Sequence, residues 1–215
     1  MILLLCTLLA LADADWDRTR AMLKPVLGDF TSYSLKRVGD QTFDMEAYVS
    51  TEGERKTATR MLSDYASYPK WILKNINRKP SGGDYFTKII DVRPDTAQKR
   101  LTVVFEISVA KFKYQSERTF QMHETKLNDR FVLEGTAIPD DSSLVGLAQA
   151  TMTVFDAENG KGRIWIYLKG KARLRSALLY SLLPENPMKH EAGARVKTAI
   201  ENYLEWESGS GAGLK

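Results

Sequence analysis

The chain has 215 residues, 43% hydrophobic and 27% charged, a normal globular balance in the length of one ordinary domain, enough to bury a sizeable core. Its 31 Lys and Arg against 27 Asp and Glu give a net charge of +4, and the two signs are interspersed, which excludes the clustered basic footprint of a nucleic-acid binder. The single cysteine, Cys6, excludes a disulfide framework and a cysteine-based zinc site.

Met1 to Ala12 is almost wholly apolar and carries no charged side chain. A helix across a bilayer needs about 20 apolar residues, so this run is too short to span. It matches the apolar region of a secretory signal, closed by the small-x-small patterns Ala10-Leu11-Ala12 or Ala12-Asp13-Ala14. The expectation is a signal peptide over 1–14, a mature start near Asp13 or Asp15, and export to the periplasm or the medium. No Lys or Arg precedes the run, and the alternatives are an N-terminal anchor or a buried apolar arm.

Asp15 is placed to cap a helix from Trp16 to about Lys24, ended by Pro25. Tyr33 to Val38 and Thr42 to Val49 read as strands joined across Gly39-Asp40. In the second, Phe43, Met45, Ala47 and Val49 alternate with Thr42, Asp44, Glu46 and Tyr48, one face apolar and the other mostly polar. Thr51-Glu52-Gly53-Glu54 has capping-box spacing, and the helix it predicts aligns Ala58, Met61, Leu62 and Tyr65. Pro69 predicts a break at Tyr68. Trp71, Ile72 and Ile76 follow before a turn at Ser81-Gly82-Gly83.

Six strands are predicted next, at 85–92, 99–110, 113–124, 130–138, 147–156 and 162–173. Arg93-Pro94-Asp95, Leu127-Asn128-Asp129, Pro139-Asp140-Asp141 and Glu158-Asn159-Gly160 supply turns. Such short connections imply antiparallel pairing. The last element is a helix opened by Asn186 as N-cap and Pro187. Met188, Ala192, Val196, Ala199, Tyr203 and Trp206 form its apolar stripe. Glu191 and Arg195 are an i,i+4 pair on its other side. Ser208 to Gly213 reads as a flexible end.

A strand, a helix ending in Met61-Leu62-Ser63-Asp64-Tyr65-Ala66-Ser67-Tyr68-Pro69-Lys70-Trp71, six antiparallel strands and a long amphipathic helix follow one another. This order resembles the START-like superfamily, also called the helix-grip, SRPBCC or polyketide cyclase and lipid transport superfamily. Its coenzyme Q-binding branch looks nearest. The resemblance covers about residues 42 to 206. It implies an α+β helix-grip fold, in which a curved antiparallel sheet of about seven strands wraps the C-terminal helix and a ligand cavity lies between them. The expected organisation is a signal peptide at 1–14, an N-terminal extension at 15–38, the START-like domain at 39–207 and a flexible tail at 208–215.

Strand 113–124 puts Tyr114, Ser116, Arg118, Phe120 and Met122 on one face and Gln115, Glu117, Thr119, Gln121 and His123 on the other. If the first face points inward, Arg118 brings a guanidinium into an apolar cavity. Its planar fork suits a ligand carboxylate or phosphate. The alternative is a structural ion pair with Glu106 or Glu134. Tyr114, Phe120 and Met122 are the candidate apolar contacts beside it. Tyr65 and Trp71, with Tyr68, either line the entrance or pack the first helix on the sheet. Val196 and Tyr203 are the candidates from the last helix. Ile164, Ile166 and Leu168 read as core, and Trp165 and Tyr167 as surface or membrane-facing.

Arg173 to Leu183 is apolar and basic together. It reads as a short helix packed on the sheet before Pro184, or as a transient contact with an anionic membrane. No Gly-x-Ser-x-Gly, His-Glu-x-x-His or Walker-type motif is present. His123 and His190 read as surface residues, so no catalytic residue, metal ligand or cofactor is assigned. The leading expectation is a carrier or sensor of a lipid-like small molecule in the cell envelope. The alternatives are a cyclase- or aromatase-like enzyme using the same cavity, and a protein–protein adaptor.

Overall fold

The computed structural model describes residues 16–19, 21, 32–77, 85–109, 111–157 and 162–211. The chain divides into two units, Met1–Phe30 and Thr31–Lys215. In the first, residues 16–19 and 21 are helical, within the predicted helix. The apolar run, Cys6 and the expected cleavage points lie outside the described residues, as do the turns at 81–83 and 158–160.

The second unit is built on one sheet of eight strands. They are β1 (Ser32–Arg37), β2 (Thr42–Glu52), β3 (Tyr85–Asp95), β4 (Arg100–Val109), β5 (Phe112–Lys126), β6 (Arg130–Ala137), β7 (Val145–Asp156) and β8 (Arg163–Leu174). All neighbours are antiparallel, in the order β1-β2-β8-β7-β6-β5-β4-β3. Eight strands stand where about seven are expected, and the edge strand β1 is the one predicted at Tyr33 to Val38. Although it comes from the segment read as an N-terminal extension, it pairs with β2 along its whole length, from Ser32↔Tyr48 to Arg37↔Phe43. The turn between them holds Gly39, Asp40 and Gln41 at φ of 82°, 44° and 57°. Only glycine enters that left-handed region without a Cβ penalty, and Asp is among the few residues that tolerate it.

Between β2 and β3 come α1 (Arg55–Ser63), a 3₁₀ turn (Tyr65–Ser67) and α2 (Tyr68–Trp71). After β8 come α3 (Ala177–Leu182) and α4 (Glu185–Gly211). Three local expectations are corrected. The capping box does not form, because Thr51 stays in β2 opposite Ile164 and the N-cap is Glu54, without a side-chain cap. The break falls at Asp64 (φ −86°, ψ 67°), whereas Tyr68 is helical (φ −49°, ψ −46°). Pro69 is tolerated there because, in the first turn of α2, its missing N–H has no intrahelical partner to lose. And α4 begins at Glu185, ahead of Asn186, and runs to Gly211 through the expected tail, since adding a residue to an existing helix costs far less than starting one.

Strand order accounts for the curvature. β1 and β3 are the outermost strands, yet α4 packs on β1, β2 and β3. Laid flat, eight strands would span roughly 34 Å, and a helix bridging the edges would run over every strand between. Here the middle strands bow away and the edges grip the helix, the expected helix-grip arrangement. An arginine fastens each side. Arg37 of β1 donates to Leu183 O just ahead of α4, and Arg195 of α4 donates to Thr87 O of β3. One buried cluster joins α1, α2 and the later turns of α4 to inward residues such as Val49, Leu133, Val154 and Ile166. A second gathers α3 with Phe43, Ile107, Val145 and Leu174.

Candidate functional site

Residues of both clusters wall a cavity of about 400 Å³ under α4. Its existence follows from side-chain size along two neighbouring strands. At the filled end, β7 and β8 set Met152 beside Leu168 and Val154 beside Ile166. Two residues further along, the inward pairs are Ala150↔Gly170 and Ala148↔Ala172. This four-residue floor has almost no side chain to raise toward the helix, and all four line the cavity. Phe43, Phe105, Ile107 and Leu183 are among the apolar walls.

Gln149 and Lys171 also border it, but strand alternation sends their side chains to the outer face, leaving main chain at the wall. No carboxylate, histidine or cysteine lines it among the described residues. The charged side chain that does reach it is Arg195, half-buried, with its guanidinium 5.9 Å from the Phe86 ring centroid and donating to Thr87 O. The apolar stripe predicts Arg195 on the solvent side of the helix, beside Glu191, whose side chain lies outside the described residues. The edge strand β3 packs where solvent was expected and gives the guanidinium an acceptor.

The predicted inward face of β5 is inward: Ser116, Arg118 and Met122 are buried, Tyr114 and Phe120 half-buried, and Gln115, Glu117, Gln121 and His123 exposed. Of the candidate residues on this strand, Phe120 lines the cavity. Arg118 is 1% exposed but is not among the lining residues. It reaches past the end of β6, where its Nη2 donates to Gly146 O (2.7 Å) and its Nη1 stands 3.9 Å from Asp140 Oδ2. Gly146 lies at a register shift of β7, between Val145 and Leu147, so the arginine serves a carbonyl at an irregular point of the ladder. Neither Glu106 nor Glu134 is its partner. Its Nε and Nη1 have no hydrogen-bond acceptor among the described residues. Tyr114 packs against the α3 cluster.

Tyr65, Trp71, Tyr203 and Met122 sit in the filled core instead. Ring centroids run 5.9 Å from Tyr65 to Tyr68, 5.2 Å to Trp71, 5.3 Å to Tyr203 and 5.7 Å to Trp206. This ladder binds the helices after β2 to α4, which is the packing alternative for Tyr65 and Trp71. Tyr65 donates to the Glu124 carboxylate, Tyr68 to Leu62 O (2.7 Å) and Trp71 to Ser67 Oγ (3.1 Å). Burial, and then the nearby Glu124, pushes the Tyr65 phenol well up; burial does the same to Tyr68. The side chains of Val196 and His190 lie outside the described residues.

The outer face also departs from expectation. Trp165 is only 3% exposed, so it is not a surface residue. Tyr167 is half-buried, stacked on Tyr48 at 5.0 Å and 8°, and burial with the adjacent Glu46 charge raises both phenols.

No family model and no curated protein matches the sequence. Among solved structures, the chain is similar to a conserved protein from Geobacillus kaustophilus, with TM-score 0.49 and 9% identity over 78% of this chain and 96% of that one. It is similar to a START superfamily protein from Mycobacterium smegmatis, with TM-score 0.45 and 13% identity over 76% and 95%. A third is the Zhui aromatase/cyclase of a Streptomyces species, with TM-score 0.38 and 14% identity over 76% and 90%. None of the three is named as a coenzyme Q-binding protein. The fold assignment rests on the strand order and on the seating of α4 against both sheet edges.

Proposed function

We propose that the protein encloses a hydrophobic or lipid-like small molecule with one polar or anionic end, as a carrier or sensor. The observation that carries this reading is the floor of Ala148, Ala150, Gly170 and Ala172 beneath α4. The volume of about 400 Å³ falls in the range of small-molecule sites, and mostly apolar walls with few polar groups are their usual chemistry. Arg195 is the group to which a carboxylate or phosphate would turn, through a charge-assisted fork. With the signal peptide expected over residues 1–14, the role belongs to the cell envelope.

Titration with a fluorescent fatty acid tests it on wild type, Ala150→Phe and Arg195→Met, each with a melting curve. Ala150→Phe raises a ring from the floor and is expected to lose binding while melting at or above the wild-type temperature. Arg195→Met is expected to weaken a carboxylate ligand by about one to two decades, as removal of a charge-assisted hydrogen bond does. The corresponding alcohol should lose little. Unaltered binding by Ala150→Phe would place the ligand elsewhere.

A further inference from the structure

We propose that the end of the domain carrying α3 and the β1–β2 and β4–β5 hairpins docks on an anionic phospholipid bilayer, with Phe112 and Leu178 inserted among the lipids. Neither Phe112 nor Leu178 lines the cavity. Phe112 is 50% exposed, Leu178 60% and Val38 48%, the three most exposed large hydrophobic side chains among the described residues. All three belong to one end. Val38 follows Arg37, whose guanidinium lies 4.7 Å from the Tyr180 ring of α3 and donates to Leu183 O. Val109 and Tyr114, which flank the β4–β5 turn, share a packed cluster with Leu179 and Leu183. Leu179 is fully buried, so α3 is anchored by one leucine while its neighbour points outward.

The charge around these side chains selects the partner. Lys111 and Lys113 bracket Phe112, both exposed and neither in an ion pair among the described residues. Arg173 and Arg175 stand at the foot of α3, paired at 2.9 Å with Asp40 and Asp141. Both arginines and both partners are solvent-accessible, and such pairs are held weakly enough for a lipid phosphate to compete. Separate apolar knobs ringed by cations suit a fluid anionic interface, which closes around each knob. A rigid protein partner would need a matching hollow for each.

The test uses the full chain carrying Cys6→Ser and Leu178→Cys, labelled at the introduced thiol with an environment-sensitive fluorophore. The label reports this surface alone, whatever the N-terminal apolar run does. Vesicles of phosphatidylcholine mixed with phosphatidylglycerol are expected to shift its emission to the blue, and added salt to reverse the shift; pure phosphatidylcholine should do neither. Phe112→Asp, or Lys111→Glu with Lys113→Glu, should weaken the response about tenfold or more, the scale of losing one inserted aromatic ring. Their melting temperatures and fatty-acid binding should stay at the level of the labelled parent. Co-sedimentation without an emission shift would overturn the proposal. So would a shift that appears with protein concentration alone and disappears in Phe112→Asp, which would make this surface a contact between two copies of the chain.

Discussion

Arg118 carries a positive charge at 1% exposure with one close acceptor, the main-chain oxygen of Gly146. Asp140, its nearest carboxylate, spends its strongest contacts on Ser142: hydrogen bonds from the Ser142 hydroxyl and amide hold its carboxyl below the usual range, and Arg118 adds less. The guanidinium therefore works as a strut from β5 to β7 across the end of β6. Arg118→Met keeps the bulk but takes from the half-buried Gly146 carbonyl its guanidinium donor, a cost of about 1–2 kcal/mol. The expected result is a melting temperature lower by several degrees with fatty-acid affinity unchanged. Weakened affinity at unchanged stability would return Arg118 to the ligand. The sequence supplied the inward face on which Arg118 lies, because alternation along one strand is local. It did not supply the partner, because Gly146 is 28 residues away and reaches Arg118 only through a shifted register on another strand.

At the scale of elements, α3 shows how two adjacent leucines divide their work. Leu179 is fully buried against β8 and the second cluster, while Leu178 is 60% exposed. Leu179→Ala should cost about 2–5 kcal/mol, as buried leucine truncations do, whereas Leu178→Ala should stay within about 0.5 kcal/mol. Thermal melts of the pair check both; equal losses would mean that α3 is seated differently. The strands and α4 were legible because their apolar periods are local and long. What escaped was the meeting of elements. The Ala148-x-Ala150 and Gly170-x-Ala172 alternations were in plain view, yet they become a floor only once β7 and β8 pair in the register that sets them side by side. Arg195 escaped in the same way, since its surroundings depend on where the far edge of the sheet arrives.

For the whole molecule, alkaline pH should be the destabilising direction. The phenols of Tyr48, Tyr65, Tyr68 and Tyr167 are all raised above their ordinary value of 10.0, burial being the first cause in each. In the unfolded chain they lose protons as pH rises through that value, while the native state keeps them. The stability they contribute is thus complete below about pH 10 and declines as pH rises toward the folded-state values. Followed by phenolate absorbance, these tyrosines should titrate only together with loss of native circular dichroism, after the exposed ones. Early, reversible titration of all nine tyrosines would contradict the ladder and the stacked outer pair.

The small-residue floor has a mechanical consequence. Space that side chains do not fill adds to the volume of the native state, and unfolding removes it, so hydrostatic pressure favours the unfolded chain in proportion to the void eliminated. The domain should therefore unfold at lower pressure than Ala150→Phe, whose ring takes up part of the roughly 400 Å³, even where the two melt at similar temperatures. A tightly bound apolar guest should raise the pressure midpoint of the wild type and leave that of the filled variant where it was. High-pressure fluorescence on the two proteins, with and without fatty acid, would then gauge how compressible the grip is.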